Sequence, residues 1–186
     1  MSSNKIERKY LAHYLDEAFS SESPSYVRLG DDLEEYNEEL NPDVTVKKNI
    51  IGEQTIDHKG YDVQSEVTPY YAASGSALST KLEEIAEERK TGTAIKTTKI
   101  DVLTTEVGVQ VWAYREDVAV VPTSIGGDTS GVQIPFTIYN LGNRVKGTFD
   151  VANGTFTPVS QATPGVQQSV SGGTRSGSTT SSGSGK

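Results

Sequence analysis

The chain has 186 residues, enough for one ordinary domain with a real core plus tails, and too few for two domains unless both are small. Its 25 acidic against 17 basic side chains leave a formal charge of −8, a field that repels phosphate and disfavours tight nucleic-acid binding. Cysteine is absent, which removes disulfides, thiolate chemistry and Cys-ligated zinc.

The N-terminal stretch mixes Lys5, Arg8 and Lys9 with isolated apolar residues and offers no secretory core, so cytoplasmic synthesis is expected. The aliphatic run from Val118 to Val121 is far shorter than the roughly 20 residues a spanning helix needs, so no membrane insertion is expected. His13 is read as a residue of the first strand. The acidic stretch from Gly30 to Asp43 and the polar stretch from Lys47 to Gly60 read as long loops.

Period-two alternation then recurs at Tyr61, Val63 and Val67. A single segment, SGSALSTKLEEIAEERKTG, has a 3.6-residue period, with Leu78, Leu82 and Ile85 on one face. It predicts one amphipathic helix over about 76–91, capped by Ser74 or Ser76, favoured at its end by Arg89 and Lys90, and stopped by Gly92. Alternation returns at Ile100 and Val102, at Val107, Val109 and Val111, and most clearly at Val132, Ile134, Phe136 and Ile138, where Pro135 implies a sheet edge or a bulge. Val145, Phe149 and Val151 form the last such set. Gly142-Asn143 and Asn153-Gly154 tolerate positive φ, so the last three strands are expected to form an antiparallel meander. From Gln161 the chain is nearly all Ser, Gly, Thr and Gln, which cannot offset its ordering entropy; the expected division is a domain over 1–160 and a disordered tail over 161–186.

Chemistry-bearing patterns are sparse. His13 and His58 share no metal-ligand spacing, and no G-x-S-x-G elbow follows a strand. Gly142 and Gly147 have P-loop spacing, but Thr148 and Phe149 stand where a cation and a hydroxyl should be. The run from Gly126 to Gly131 offers backbone amides for an anion, with a connecting turn as the more economical reading. Asp31, Asp32, Glu34, Glu35, Glu38 and Glu39 match no EF-hand and read as a solvated acidic face or the lining of a cavity. No catalytic, cofactor or metal residue is assigned, and the chain reads as non-enzymatic.

Three strings occur in a fixed order: LNPDVTVKKNIIGEQTIDHKGYDVQSEVTPYYA, GSALSTKLEEIAEERKTG and VVPTSIGGDTSGVQIPFTIYNLGNRVKGTFDV. Together, from about Lys5 to Pro158, they resemble the major tail (tail tube) proteins of long-tailed, siphovirus-like phages of Gram-positive hosts. The resemblance implies a mainly β, antiparallel β-sandwich with one flanking helix and long loops. It also implies a virion protein forming hexameric rings that stack into a tube, a passage for DNA that is not specifically bound. Implied partners are further copies of the chain, the tape measure protein and the terminator and distal tail proteins, with the virion tail as location and no cofactor. The family's inter-ring loop corresponds to Asn41–Ile56, and Asn41, Pro42, Ile50, Ile51 and Gly52 are its expected stacking residues. The competing expectation is a monomeric β-sandwich binding carbohydrate or another ligand, with Tyr70, Tyr71, Trp112 and Tyr114 as a possible aromatic platform, although Trp112 is more economically a core residue.

Overall fold

The computed structural model describes residues 5–20, 22–31, 33 and 35–159; the expected tail over 161–186, with Asp32 and Glu34 of the acidic run, lies outside the described residues. Among the described residues the fold is mainly β, built on one curled antiparallel sheet with a single α-helix, as the alternation and the one helical period implied.

In chain order the strands are β1 (Leu11–Asp16), β2 (Tyr26–Leu29), β3 (Pro42–Lys48), β4 (Gln54–Tyr61) and β5 (Gln64–Val67), then helix α1 (Ala77–Glu87). After it come β6 (Lys96–Thr104), β7 (Gln110–Pro122), β8 (Gly126–Asp128), β9 (Gly131–Gln133), β10 (Phe136–Asp150) and β11 (Thr155–Pro158). Seven strands form the main sheet in the order β11-β10-β7-β6-β1-β2, with β5 pairing the first part of β10 on the edge that β11 shares further along. β3 with β4, and β8 with β9, form separate hairpins.

Alternation gives the sheet two apolar faces. One carries Leu15, Val118, Val120, Phe136 and Ile138, and the buried stripe of α1, Leu78, Leu82 and Ile85, covers it. Each such leucine contributes roughly 1.5–3 kcal/mol on burial. The other face carries Tyr14, Ile100, Val102, Ala113 and Phe149. The Phe149 ring lies 4.9 Å from Tyr14 and 5.6 Å from Tyr26, although three strand spacings separate β10 from β1. The sheet therefore curls over this second core, and a sandwich-like pair of layers comes from one sheet.

The helix starts where the serine cap implies, with Ser76 Oγ accepting from Ser79 N at 3.3 Å. Its stop differs from expectation: the chain already turns at Arg89, which takes the left-handed conformation (φ 51°) ahead of Gly92 (φ 68°), and Lys90 N bonds back to Ile85 O at 3.0 Å. That backbone closure satisfies the last carbonyls before Gly92 is reached.

Five other expectations are corrected. The strand over 132–138 divides at Pro135, which has no N–H for the ladder: Gly131–Gln133 turns to β8, and β10 begins at Phe136. Gly142-Asn143 is not a hairpin turn. Its positive φ angles of 89° and 57° form a bulge inside one 15-residue strand, so the expected meander loses a turn, while Gly154 does close the β10–β11 hairpin. Val107 and Val109 belong to the β6–β7 turn around Gly108 (φ 81°), and with Val111 they are exposed; Val151 likewise sits in a turn. Tyr61 and Val67 lie on different strands, Tyr61 exposed at the end of β4 and Val67 buried in β5. Finally, 47–60 is no irregular loop, since most of it lies in the β3–β4 hairpin.

Gly147 holds β11 in place by having no side chain. A β-carbon there would lie 2.4 Å from the Phe156 ring and 2.4 Å from the Thr157 carbonyl oxygen. Gly147→Ala is expected to cost about 1–3 kcal/mol in urea unfolding by forcing β11 off the sheet edge.

Candidate assembly surface and the charged cluster beneath it

The β3–β4 hairpin stands on the sequence Asn41-Pro42, and Asn41 takes φ 39°. Asn41 and Asp62 close the root: Asn41 Nδ2 and Asp62 N donate to Asp62 O and Asn41 O, each at 3.1 Å. At the tip, Asn49 Oδ1 accepts from Ile51 N at 3.1 Å and Glu53 N at 2.8 Å, and Gly52 takes φ 90°. This self-bonded turn points Ile50, fully exposed, and Ile51, 74% exposed, into solvent. Of the residues expected for stacking, Asn41 and Pro42 thus form the root, and Ile50, Ile51 and Gly52 the tip.

Register makes the hairpin amphipathic. Val46 faces Ile56 and Val44 faces His58, which places Val44, Val46 and Ile56 on one side, while Thr45, Lys47, Thr55 and Asp57 occupy the other. All three apolar residues are exposed. A two-stranded hairpin is marginal by itself, and this one leaves its apolar side in water.

The acidic run does not form one surface. Asp31, Glu35 and Glu39 are exposed, whereas Glu38 turns in towards the sheet. There its Oε1 accepts from Lys99 Nζ and from Asn140 Nδ2 (2.9 Å), with Arg144 Nη1 at 3.9 Å. Lys99 Nζ is also 3.4 Å from Asp101 Oδ2, and Arg144 Nη1 is 3.0 Å from Glu116 Oε2. Asp101 Oδ1 takes a 2.7 Å hydrogen bond from His13 Nδ1.

These groups meet because His13, Lys99, Asp101, Glu116 and Asn140 occupy the helix-side positions of neighbouring strands: Asp101 pairs with His13, and Lys99 with Glu116. Lys99 is only 2% exposed. Burial pushes its pKa down, but the charges of Asp101 and Glu38 outweigh that and raise it. Burial pushes Asp101 up, and the His13 hydrogen bond with the Lys99 charge overrides it, holding the carboxyl below its usual range. Ionised Asp101 makes His13 Nδ1 the donor. Glu116 is shifted up, because burial exceeds the help of Arg144. Charge patterning along the sequence missed this network, since its members are separated by up to 131 residues; two charged residues at alternate positions of β6, Lys99 and Asp101, amid Ile100 and Val102, were the available signal.

The aromatic residues do not gather. Tyr70 meets Phe136 edge to face at 5.3 Å and packs, partly buried, against the core, while Tyr71 bridges to Gln133. Trp112 and Tyr114 are half-buried neighbours 5.6 Å apart, so Trp112 is not a core residue, and the Arg144 guanidinium lies over the Tyr114 ring at 4.7 Å. His58 sits on the hairpin against Tyr61, far along the chain from any of the cluster's strands. The Gly126–Gly131 stretch forms the β8–β9 hairpin, with Asp128 Oδ1 accepting from Ser130 N at 2.7 Å. Among the described residues no group of His and acidic side chains has the geometry of a metal centre, and no helix is long and apolar enough to cross a membrane.

No family model matches the chain, and no curated protein matches it. Among solved structures it is similar to the sheath/tube terminator of an extracellular contractile injection system in the extended state, at 8% identity over 80% of this chain and 100% of that one, TM-score 0.47. It is also similar to the tube-terminating cap of the anti-feeding prophage, at 11% identity over 80% of this chain and 94% of that one, TM-score 0.47. A third is the sheath–tube complex of the extracellular contractile injection system, at 10% identity over 78% of this chain and 93% of that one, TM-score 0.45. Identities this low, with scores below 0.5, assign no function to the chain.

Proposed function

We propose that the chain is a non-enzymatic structural subunit of a phage-type tail, assembling into hexameric rings that stack into a tube through which DNA passes. The observation that carries this reading is the β3–β4 arm, which holds Val44, Val46, Ile50, Ile51 and Ile56 in solvent. The arm also falls on the segment that, in the resembled tail tube proteins, reaches the neighbouring ring.

A patch of one copy meeting a different patch of the next is heterologous association, which closes into rings or continues as a stack. The sheet has the edges such contact uses: β2 ends one side, and β5 with β11 line the other. The acidic balance suits a passage that DNA traverses without being held. In this reading the partners are other copies first, then the tape measure, terminator and distal tail proteins, and the location is the virion tail.

Mass photometry of the purified chain across a concentration series tests the association. Species at six subunit masses and at multiples of six are expected as concentration rises; a monomer throughout would favour the binding-module reading instead.

A further inference from the structure

The arm is fastened to the body in two ways. Its second leg continues into β5, which is held by the ladder to β10. Its first leg is residues 35–41, which have no ladder beyond the single Glu39–Gln64 bridge. Arg8 Nη2 donates to Tyr36 O and Gln64 Nε2 to Glu39 Oε2, each at 3.2 Å, and two inward side chains of the leg hold it against the sheet. Tyr36 is buried with its ring 4.3 Å from His13, and Glu38 takes hydrogen bonds from Lys99 and Asn140.

We propose that Glu38 is an electrostatic latch for the arm: its carboxylate pins the first leg to the sheet, and loss of that charge frees the leg while the domain stays folded.

Three features carry this. First, the groups facing Glu38 are Lys99 and Asp101 of β6, His13 of β1, Glu116 of β7, and Asn140 and Arg144 of β10. Without Glu38, Lys99 keeps Asp101 and Arg144 keeps Glu116, so each cation retains a carboxylate and nothing charged is stranded in the interior. Second, little apolar surface holds the leg, since Leu40 is exposed and Tyr36 is its only buried residue. Third, docking it leaves His13 Nε2 and Asn140 Oδ1 buried without hydrogen-bond partners among the described residues. Opening returns these groups to water, which lowers its cost. The inference concerns the single subunit and holds whatever the arm docks against.

Amide exchange of the full chain, followed by NMR under monomeric conditions, provides the test with Glu38→Gln. The Glu39 and Gln64 amides, which bond reciprocally at 2.8 and 3.0 Å, report the root of the arm. Their exchange is expected to speed up by about tenfold or more, the mark of a local opening, while α1 and the β6–β7 ladder keep wild-type rates. Glu35→Gln, at an exposed position on the same leg, is expected to exchange as wild type does. Unchanged rates at Glu39 and Gln64, or equal acceleration across the sheet, would overturn the latch.

Discussion

Lys99→Met lowers the unfolding free energy by about 3–5 kcal/mol, the cost of removing one partner from a buried ion pair. The reason is asymmetry within the cluster. Lys99 and Arg144 face three carboxylates, those of Glu38, Asp101 and Glu116, so deleting Lys99 leaves Asp101 in the interior with only the His13 hydrogen bond. Against a total of about 5–15 kcal/mol for an ordinary domain, the loss shows directly in urea melts as a lower midpoint at unchanged slope. The pH dependence follows from the shifts. Lys99 has a raised folded pKa, so its stabilisation is complete below the ordinary lysine value of 10.5 and disappears as pH rises through the folded value. Asp101 has a lowered one, so its contribution is complete above the ordinary 3.8 and disappears as pH falls through the folded value. Between these limits neither group changes wild-type stability, while Glu116, raised by burial, favours folding below its ordinary 4.5 and loses that contribution as pH rises through the folded value. Lys99→Met should lessen the alkaline fall, to which Tyr26 and Tyr36, raised by burial, also contribute. A variant as stable as wild type would mean that the cluster contributes nothing net.

Ile50→Asp combined with Ile51→Asp is expected to weaken the proposed assembly sharply and to leave the fold untouched. Among the described residues both side chains stand in solvent: Ile50 is fully exposed, Ile51 is 74% exposed, and the turn that carries both is bonded through Asn49. Thermal unfolding should stay within about 0.5 kcal/mol of wild type, as for an ordinary surface change. At an interface each isoleucine is worth roughly 1.5–3 kcal/mol of burial, so the pair raises the concentration needed for assembly by about 100-fold or more, read by sedimentation velocity. Assembly at the wild-type concentration would remove the arm tip from the contact. Set beside Lys99→Met, which lowers stability and also removes a partner of the Glu38 latch, this variant tests association without a change in folding.

How much of this was legible beforehand follows from which residues face a core. Helix α1 was readable because Leu78, Leu82 and Ile85 repeat at a helical period and Ser76 caps them, and β6 because Ile100 and Val102 alternate on its buried side, whereas the alternation of Val107, Val109 and Val111 fell on a turn and on the exposed start of β7. The β3–β4 arm was hidden because its alternation, Val44 and Val46 against Ile56, is short, interleaved with Lys and Asp, and unburied on either side. Gly142-Asn143 misled for a local reason: positive φ suits a hairpin turn and a bulge equally, and only the partner strand β7, running past both halves of β10, decides between them. Glu38 looked like one more member of an acidic run. Its inward turn depends on Lys99, Asn140 and Arg144, which are remote in sequence and adjacent only once β6 and β10 flank β7.

The central claim is that this chain builds a tube from copies of itself. Negative-stain electron microscopy of the purified protein, over rising concentration, tests it most directly. Rings with sixfold symmetry that stack end to end, and that are missing from the Ile50→Asp, Ile51→Asp variant, are the expected result; fields of isolated monomers at every concentration would contradict it.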